Sequence, residues 1–131
     1  MSLRIAGLIL QRSDGVRLLG PLSLSLALGD RLGLLGESGS GKSLLLQALF
    51  GVLPPDVVQS GGAMTAFEIP LDVPGPRWDA IRGARLTWVP QDPLQAMNPL
   101  LRLGEQLSLL PGIHRRESRT AALTRLAPMI A

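Results

Sequence analysis

Eight consecutive residues, Gly36-Glu37-Ser38-Gly39-Ser40-Gly41-Lys42-Ser43, carry the densest chemistry in this chain. They fit the pattern G-x-x-x-x-G-K-S/T. Glycines let a backbone turn tightly enough to bring its N–H groups against phosphate oxygens. A helix starting near Lys42 aims the positive end of its dipole at the same anion. Phosphate is the ligand that this spacing suits. The Lys42 ammonium can reach the outer phosphates of a nucleotide, and the Ser43 hydroxyl is placed to ligate a Mg²⁺ bridging them. The plain alternative is a glycine-rich strand-to-helix turn. Lys42 is also the one lysine among 13 basic residues, the others being arginine, so this position selects a compact, flexible ammonium.

A second candidate is Gln91, in Val89-Pro90-Gln91-Asp92-Pro93. A neutral amide can ligate a cation or bond a water without repelling phosphate. On its own, a glutamine between two prolines reads as a turn residue.

The flanking elements must position these groups. Leu3 to Gln11 and Val16 to Leu19, joined by Ser13-Asp14-Gly15, read as a hairpin. Leu22 to Leu28 alternates strictly and reads as a half-buried strand closed by the turn Gly29-Asp30. Arg31 to Leu35 is a short apolar run without alternation, the pattern of a strand covered on both faces in a parallel sheet. Lys42 to Leu53 reads as a helix that is apolar nearly all round and therefore buried, ended by Gly51 and Pro54-Pro55. Further along, strands are expected at Gly61 to Phe67 and Arg85 to Val89, where Trp88 reads as a core residue. A break is expected at Pro74-Gly75-Pro76, a helical turn at Trp78 to Arg82 and a loop at Pro90 to Pro99. Helices follow at Leu103 to Leu110, before Pro111-Gly112, and at Glu117 to Ala127, before Pro128. Ser60-Gly61-Gly62 reads as a turn, and His114 as an exposed loop residue.

Composition removes whole classes of function. The 131 residues make one domain or a piece of one, and 46% apolar content argues against disorder. With no cysteine and a single histidine, thiolate nucleophiles, zinc fingers and His-cluster metal sites are excluded. The net charge of +3 is spread over scattered arginines, with no tyrosine and four Phe and Trp residues for stacking, which speaks against a nucleic-acid partner. The start of the chain lacks a secretory pattern, and the longest uncharged stretch, Leu18 to Gly29, is too short to cross a bilayer. A soluble or peripheral chain is expected.

Gly29-Asp-x-x-Gly-Leu-Leu-Gly-Glu-Ser-Gly-Ser-Gly-Lys-Ser43, Val89 to Pro93 and Asn98-Pro99 together closely resemble the nucleotide-binding subunits of ABC transporters. Gly51-Val52-Leu53-Pro54 adds to a resemblance with the dipeptide, oligopeptide and nickel importers. The resemblance implies an α/β fold of the P-loop NTPase class, a RecA-like core with an N-terminal antiparallel β-subdomain. Its parts would be the β-subdomain at 1–30, the P-loop core and glutamine loop at 31–99, and the start of a helical subdomain at 100–131. It further implies an ATPase that couples ATP and Mg²⁺ to uptake of peptides or nickel through membrane permease subunits. It would act with a second nucleotide-binding subunit at the cytoplasmic face of the inner membrane. Nucleotide contacts carry over to Gly36, Glu37, Ser38, Gly39, Ser40, Gly41, Lys42, Ser43 and Leu44. Mg²⁺ falls to Ser43 and Gln91, and catalytic roles to Lys42 and to Gln91 as sensor of the ion and attacking water.

The chain departs from the family pattern in two respects. No aromatic stands at Leu8 to Arg12 to stack on adenine; stacking by the Arg12 guanidinium, a loosely held base and a merely solvated Arg12 all remain open. The signature motif, the strand bearing the catalytic glutamate and the switch histidine do not occur before Ala131. The chain therefore reads as the first part of a longer domain, cut before the signature motif and the Walker B strand. By itself it is expected to be marginally stable and, lacking a general base, to hydrolyse ATP near background. A non-catalytic nucleotide-binding module and a small-molecule kinase are the competing readings. The late P-loop and Gln91 stand against the kinase.

Overall fold

Alternating apolar residues and a tight turn organise the first part of the chain. Strands β1 (Leu3–Arg12) and β2 (Arg17–Leu26) pair antiparallel, with Leu3 opposite Leu26, Ile5 opposite Leu24 and Leu10 opposite Leu19. The turn between them is closed by Arg12 N–H donating to the Val16 carbonyl at 2.8 Å and Gly15 N–H donating to the Arg12 carbonyl at 2.9 Å. The two runs expected as separate strands, Val16 to Leu19 and Leu22 to Leu28, form one continuous β2. The pairing register shifts between Ile5 and Leu8, beside Gly7 at φ 61°, whose N–H donates to Ser23 Oγ at 2.8 Å. That extra residue changes the phase of the strand, so Ile5, Leu8 and Leu10 are all buried despite their uneven spacing.

The computed structural model describes residues 2–71, 76–92 and 96–130. They fall in two compact units, Met1–Ala80 and Ile81–Ala131, dividing within the expected 31–99 segment. In the first unit, β3 (Val57–Ala66) lies antiparallel on the other side of β1, and β4 (Ile69–Pro70) completes a sheet of order β2-β1-β3-β4. Ser60-Gly61-Gly62 is inside β3 rather than a turn. Gly62, at φ 79°, passes so close to the Gly7 carbonyl that a side chain there would collide with backbone. Close approach of two strands, not chain reversal, is what the glycines serve.

Helix α1 (Lys42–Phe50) ends at Gly51, whose φ of 64° and N–H bond to the Ala48 carbonyl close the last turn. Leu45, Ala48 and Leu49 are buried, whereas Leu46 and Ser43 are exposed. The expectation of burial all round is corrected: one face of α1 is covered, and no second layer lies over the other among the described residues. At its start, Gly41 lies against Leu18 and Leu19 of β2. At its end, a Cβ on Gly51 would stand 2.6 Å from the Trp78 ring, so the indole packs on bare backbone. Trp78 belongs to α2 (Pro76–Ile81), which starts two residues before the expected turn. Pro74-Gly75 of the expected break lies outside the described residues.

Two expected strands do not form. Arg31 to Leu35 makes no strand pairing and is exposed throughout, with Leu35 98% accessible. A run patterned for burial between parallel neighbours needs their ladders, and no parallel strand flanks it among the described residues. Arg85 to Val89 likewise reduces to an isolated bridge between Arg82 and Leu86, and Trp88 is 40% exposed instead of in the core.

The second unit contains a helical hairpin, α3 (Leu103–Arg115) and α4 (Arg119–Ile130). Leu123 packs over Gly104 and Ala122 is fully buried. Arg119 to Glu105 and Arg125 to Glu117, each at 3.2 Å, add exposed ion pairs of about 0–1 kcal/mol. Pro111 and Pro128, expected as helix ends, lie inside α3 and α4. Each removes one backbone donor, but proline's own φ is helical and its carbonyl still accepts. In α3 the Pro111 carbonyl takes the N–H groups of Arg116, at φ 55°, and Glu117, so the proline helps to close the helix. His114 therefore sits in the exposed last turn of α3 rather than in a loop.

Candidate functional site

A loop that is to receive an anion must leave N–H groups uncommitted, and among the described residues the entry to α1 leaves all but that of Ser40 so. Glu37 and Ser40 form a turn through Ser40 N–H donating to the Glu37 carbonyl at 3.3 Å, and Gly39 and Gly41 take φ of 82° and 89°. Both values lie in the left-handed region that glycine adopts without strain. The first helical bond is Leu45 N–H to the Gly41 carbonyl at 2.9 Å. No side chain caps α1, and no acidic residue stands in its first turn. The positive end of the helix is therefore not neutralised locally.

Gly36 to Ser40 are exposed, Gly41 is buried against β2, Lys42 and Leu44 are half-buried and Ser43 is exposed. The Lys42 ammonium donates to the Gly36 carbonyl at 2.7 Å, to the Glu37 carbonyl at 2.6 Å and to Ser40 Oγ at 3.1 Å. The structure thus gathers Gly36, Glu37, Ser40 and Lys42 around one ammonium, with the Ser43 hydroxyl one residue further on. An uncapped helix start, an exposed glycine loop and a lysine inside it suit a polyphosphate.

Gln91 is exposed and lies in the other unit, Ile81–Ala131. Downstream, Gln106 of α3 holds the chain at Asn98. Its Oε1 accepts from Asn98 N–H at 2.8 Å, while its Nε2 donates to the carbonyls of Asn98 at 2.9 Å and Leu101 at 3.0 Å. The sequence reading missed this clamp. Its only signal there was a glutamine in the first turn of a helix preceded by Asn-Pro. Pro93, Leu94 and Gln95 lie outside the described residues.

At the far end of β1, Arg12 Nε and Nη2 donate to Asp14 Oδ2 at 2.9 and 2.6 Å, and Asp14 Oδ1 accepts Val16 N–H at 3.1 Å. The hydrogen bond with Arg12, then that from Val16, holds the Asp14 carboxyl below its ordinary range. The same hydrogen bond raises the Arg12 guanidinium. Arg12 is thus solvent-exposed, as in the solvated reading, and is paired with Asp14 at the hairpin turn.

Among the described residues no group of three or more His, Cys, Asp or Glu could hold a metal, and no helix is long and apolar enough to cross a membrane. Residues 19–129 match the family model described as ABC transporter. The chain belongs to the ABC transporter family. Family membership brings the P-loop NTPase fold and implies nucleotide binding, and the antiparallel sheet with flanking helices is consistent with a portion of that α/β fold.

Within the ABC transporter family, the chain is 34% identical over 118 residues to the oligopeptide transport ATP-binding protein OppD of Escherichia coli K12. The match covers 89% of this chain and 35% of the relative. It is 32% identical over 112 residues to the dipeptide transport ATP-binding protein DppD of Bacillus subtilis 168, covering 84% of the chain and 33% of that protein. It is 33% identical to the glutathione import ATP-binding protein GsiA of Pectobacterium atrosepticum, covering 92% of the chain and 20% of that protein. The chain spans about a third of the length of the OppD and DppD relatives.

Proposed function

We propose that this chain is the nucleotide-binding portion of a subunit that couples ATP to import, with peptides as the cargo class. The observation that carries the reading is the uncapped start of α1 with the Lys42 ammonium folded into the glycine loop before it. Support for the cargo class comes from the names of the oligopeptide, dipeptide and glutathione relatives.

In this reading the N–H groups of Gly39 and of Gly41 to Leu44 receive the inner phosphates, and Lys42 turns one donor to the outer phosphates. The Ser43 hydroxyl would ligate Mg²⁺, which when bound screens phosphate charge. Gln91 would add an amide toward the ion and the attacking water. The subunit would work at the cytoplasmic membrane face, as one of a pair of nucleotide-binding subunits, with the Gln91 segment toward the permease.

The test is equilibrium binding of a fluorescent ATP analogue with Mg²⁺ to the parent chain and to Lys42→Ala. A charge-assisted hydrogen bond contributes about 1.5–3 kcal/mol, so affinity should fall at least tenfold. The helix itself should survive, because alanine is a better helix former than lysine. Equal affinity of the two proteins, with circular dichroism unchanged, overturns the proposal.

A further inference from the structure

We propose that Ser40 is a positioning residue for Lys42, holding the ammonium in the nucleotide-free loop and yielding its place to a phosphate oxygen when nucleotide arrives. The inference rests on the nucleotide-binding reading above and assigns a step within it. An ammonium has three N–H donors and no acceptor. In this structure all three are taken, by the carbonyls of Gly36 and Glu37 and by Ser40 Oγ. A phosphate oxygen can therefore bond Lys42 only by displacing one of them.

The three acceptors differ in what displacement costs. The two carbonyls belong to the backbone and bond at 2.7 and 2.6 Å, so moving either one means moving the loop. Ser40 Oγ bonds at 3.1 Å and swings away by rotation about a single side-chain bond. The hydroxyl is the ligand that leaves. Once released it can donate its own O–H to a phosphate oxygen, so the exchange replaces the bond it breaks. The seat of the hydroxyl is also specific: a Cβ on Gly36 would stand 2.6 Å from Ser40 Oγ and 3.8 Å from Lys42 Nζ. Glycine at the head of the loop leaves room for the serine to reach the lysine.

The single lysine of the chain makes this measurable. Acetylation of the Lys42 ε-amine at fixed pH is followed by peptide mass spectrometry, which separates it from the N-terminal amine. In the nucleotide-free chain, Ser40→Ala should raise the Lys42 acetylation rate at least roughly threefold, the effect of losing one long, solvent-exposed hydrogen bond to the ammonium. Ser40→Thr, which keeps the hydroxyl, should stay within about twofold of the parent. With a saturating Mg²⁺–ATP analogue, parent and Ser40→Ala should converge on one slow rate. Equal nucleotide-free rates for parent and Ser40→Ala overturn the proposal, as does a Ser40→Thr chain that labels as fast as Ser40→Ala. If nucleotide protects neither parent nor variant, the nucleotide-binding reading fails instead, and the nucleotide-free ratio still decides whether Ser40 holds Lys42.

Discussion

Two neighbouring leucine-rich stretches meet opposite fates. Leu22, Leu24 and Leu26 of β2 are half-buried in a sheet, whereas Leu28 and Leu35, a few residues on, are 90% and 98% exposed. Leucine content does not separate them; access to a partner does. β2 reaches β1 through a short hairpin, so its ladder closes with little loss of chain entropy. A parallel neighbour for Arg31 to Leu35 requires a crossover connection of about a dozen residues or more. No such strand occurs among the described residues, and the segment leading to the glycine loop stands without a ladder.

The comparison breaks most readily at the sheet core. Leu8 is fully buried, so Leu8→Ala should cost about 3 kcal/mol through lost transfer energy and the cavity left behind. Leu35→Ala, on the exposed stretch, should change stability by less than about 0.5 kcal/mol. Urea midpoints of the two variants measure the gap directly. Similar losses from both would mean that Arg31 to Leu35 is packed in solution.

A second contrast lies within the unit that carries the glycine loop, between the two ends of α1. The start is open, with no side-chain cap, while the end is fixed by Gly51 against Trp78. Gly51→Ala should destabilise the unit by roughly 2 kcal/mol, because alanine is strained at a left-handed φ and its methyl would meet the indole. Thermal unfolding followed by Trp fluorescence reads the shift. A neutral effect would mean that the indole does not sit on this glycine.

These contrasts show what was legible in the sequence. The hairpin, the alternation of β2 and the glycine loop before α1 were readable because each depends on residues within a few positions of one another. The Gly7 bulge was not, since it exists only through pairing with β2 and β3, and it moved Leu8 and Leu10 into one core. Arg31 to Leu35 and Arg85 to Val89 had the right composition for strands, but composition does not supply a neighbour. Pro111 and Pro128 were read as stops because the rule for proline is local, whereas α3 closes its end through the Pro111 carbonyl. The Gln106 clamp on Asn98 escaped notice because it joins residues eight apart through a side chain. In the candidate site, residue types and order were readable. The collapse of Lys42 onto Gly36, Glu37 and Ser40 was not, because only folded geometry decides which acceptors the ammonium finds.

The hairpin turn sharpens the comparison with the smallest effect, since its ion pair is solvent-exposed while its hydrogen bonds are ordered. Asp14 has its carboxyl lowered first by the Arg12 hydrogen bond and then by that from Val16 N–H. A group whose folded value is depressed stabilises above its unfolded value, about 3.9 for aspartate, and loses that contribution as pH falls through the folded value. The hairpin should therefore be insensitive to pH from neutrality down to the ordinary aspartate range and loosen only in stronger acid. Carboxyl ¹³C shifts should place the Asp14 titration below that of an unpaired aspartate, and Arg12→Gln should move it upward while leaving the β1–β2 ladder in place. An Asp14 that titrates at the ordinary value would show that the Arg12 contact is not held in solution. The turn would then rest on its backbone bonds, Arg12 N–H to the Val16 carbonyl, Gly15 N–H to the Arg12 carbonyl and Ser13 N–H to the Asp56 carbonyl.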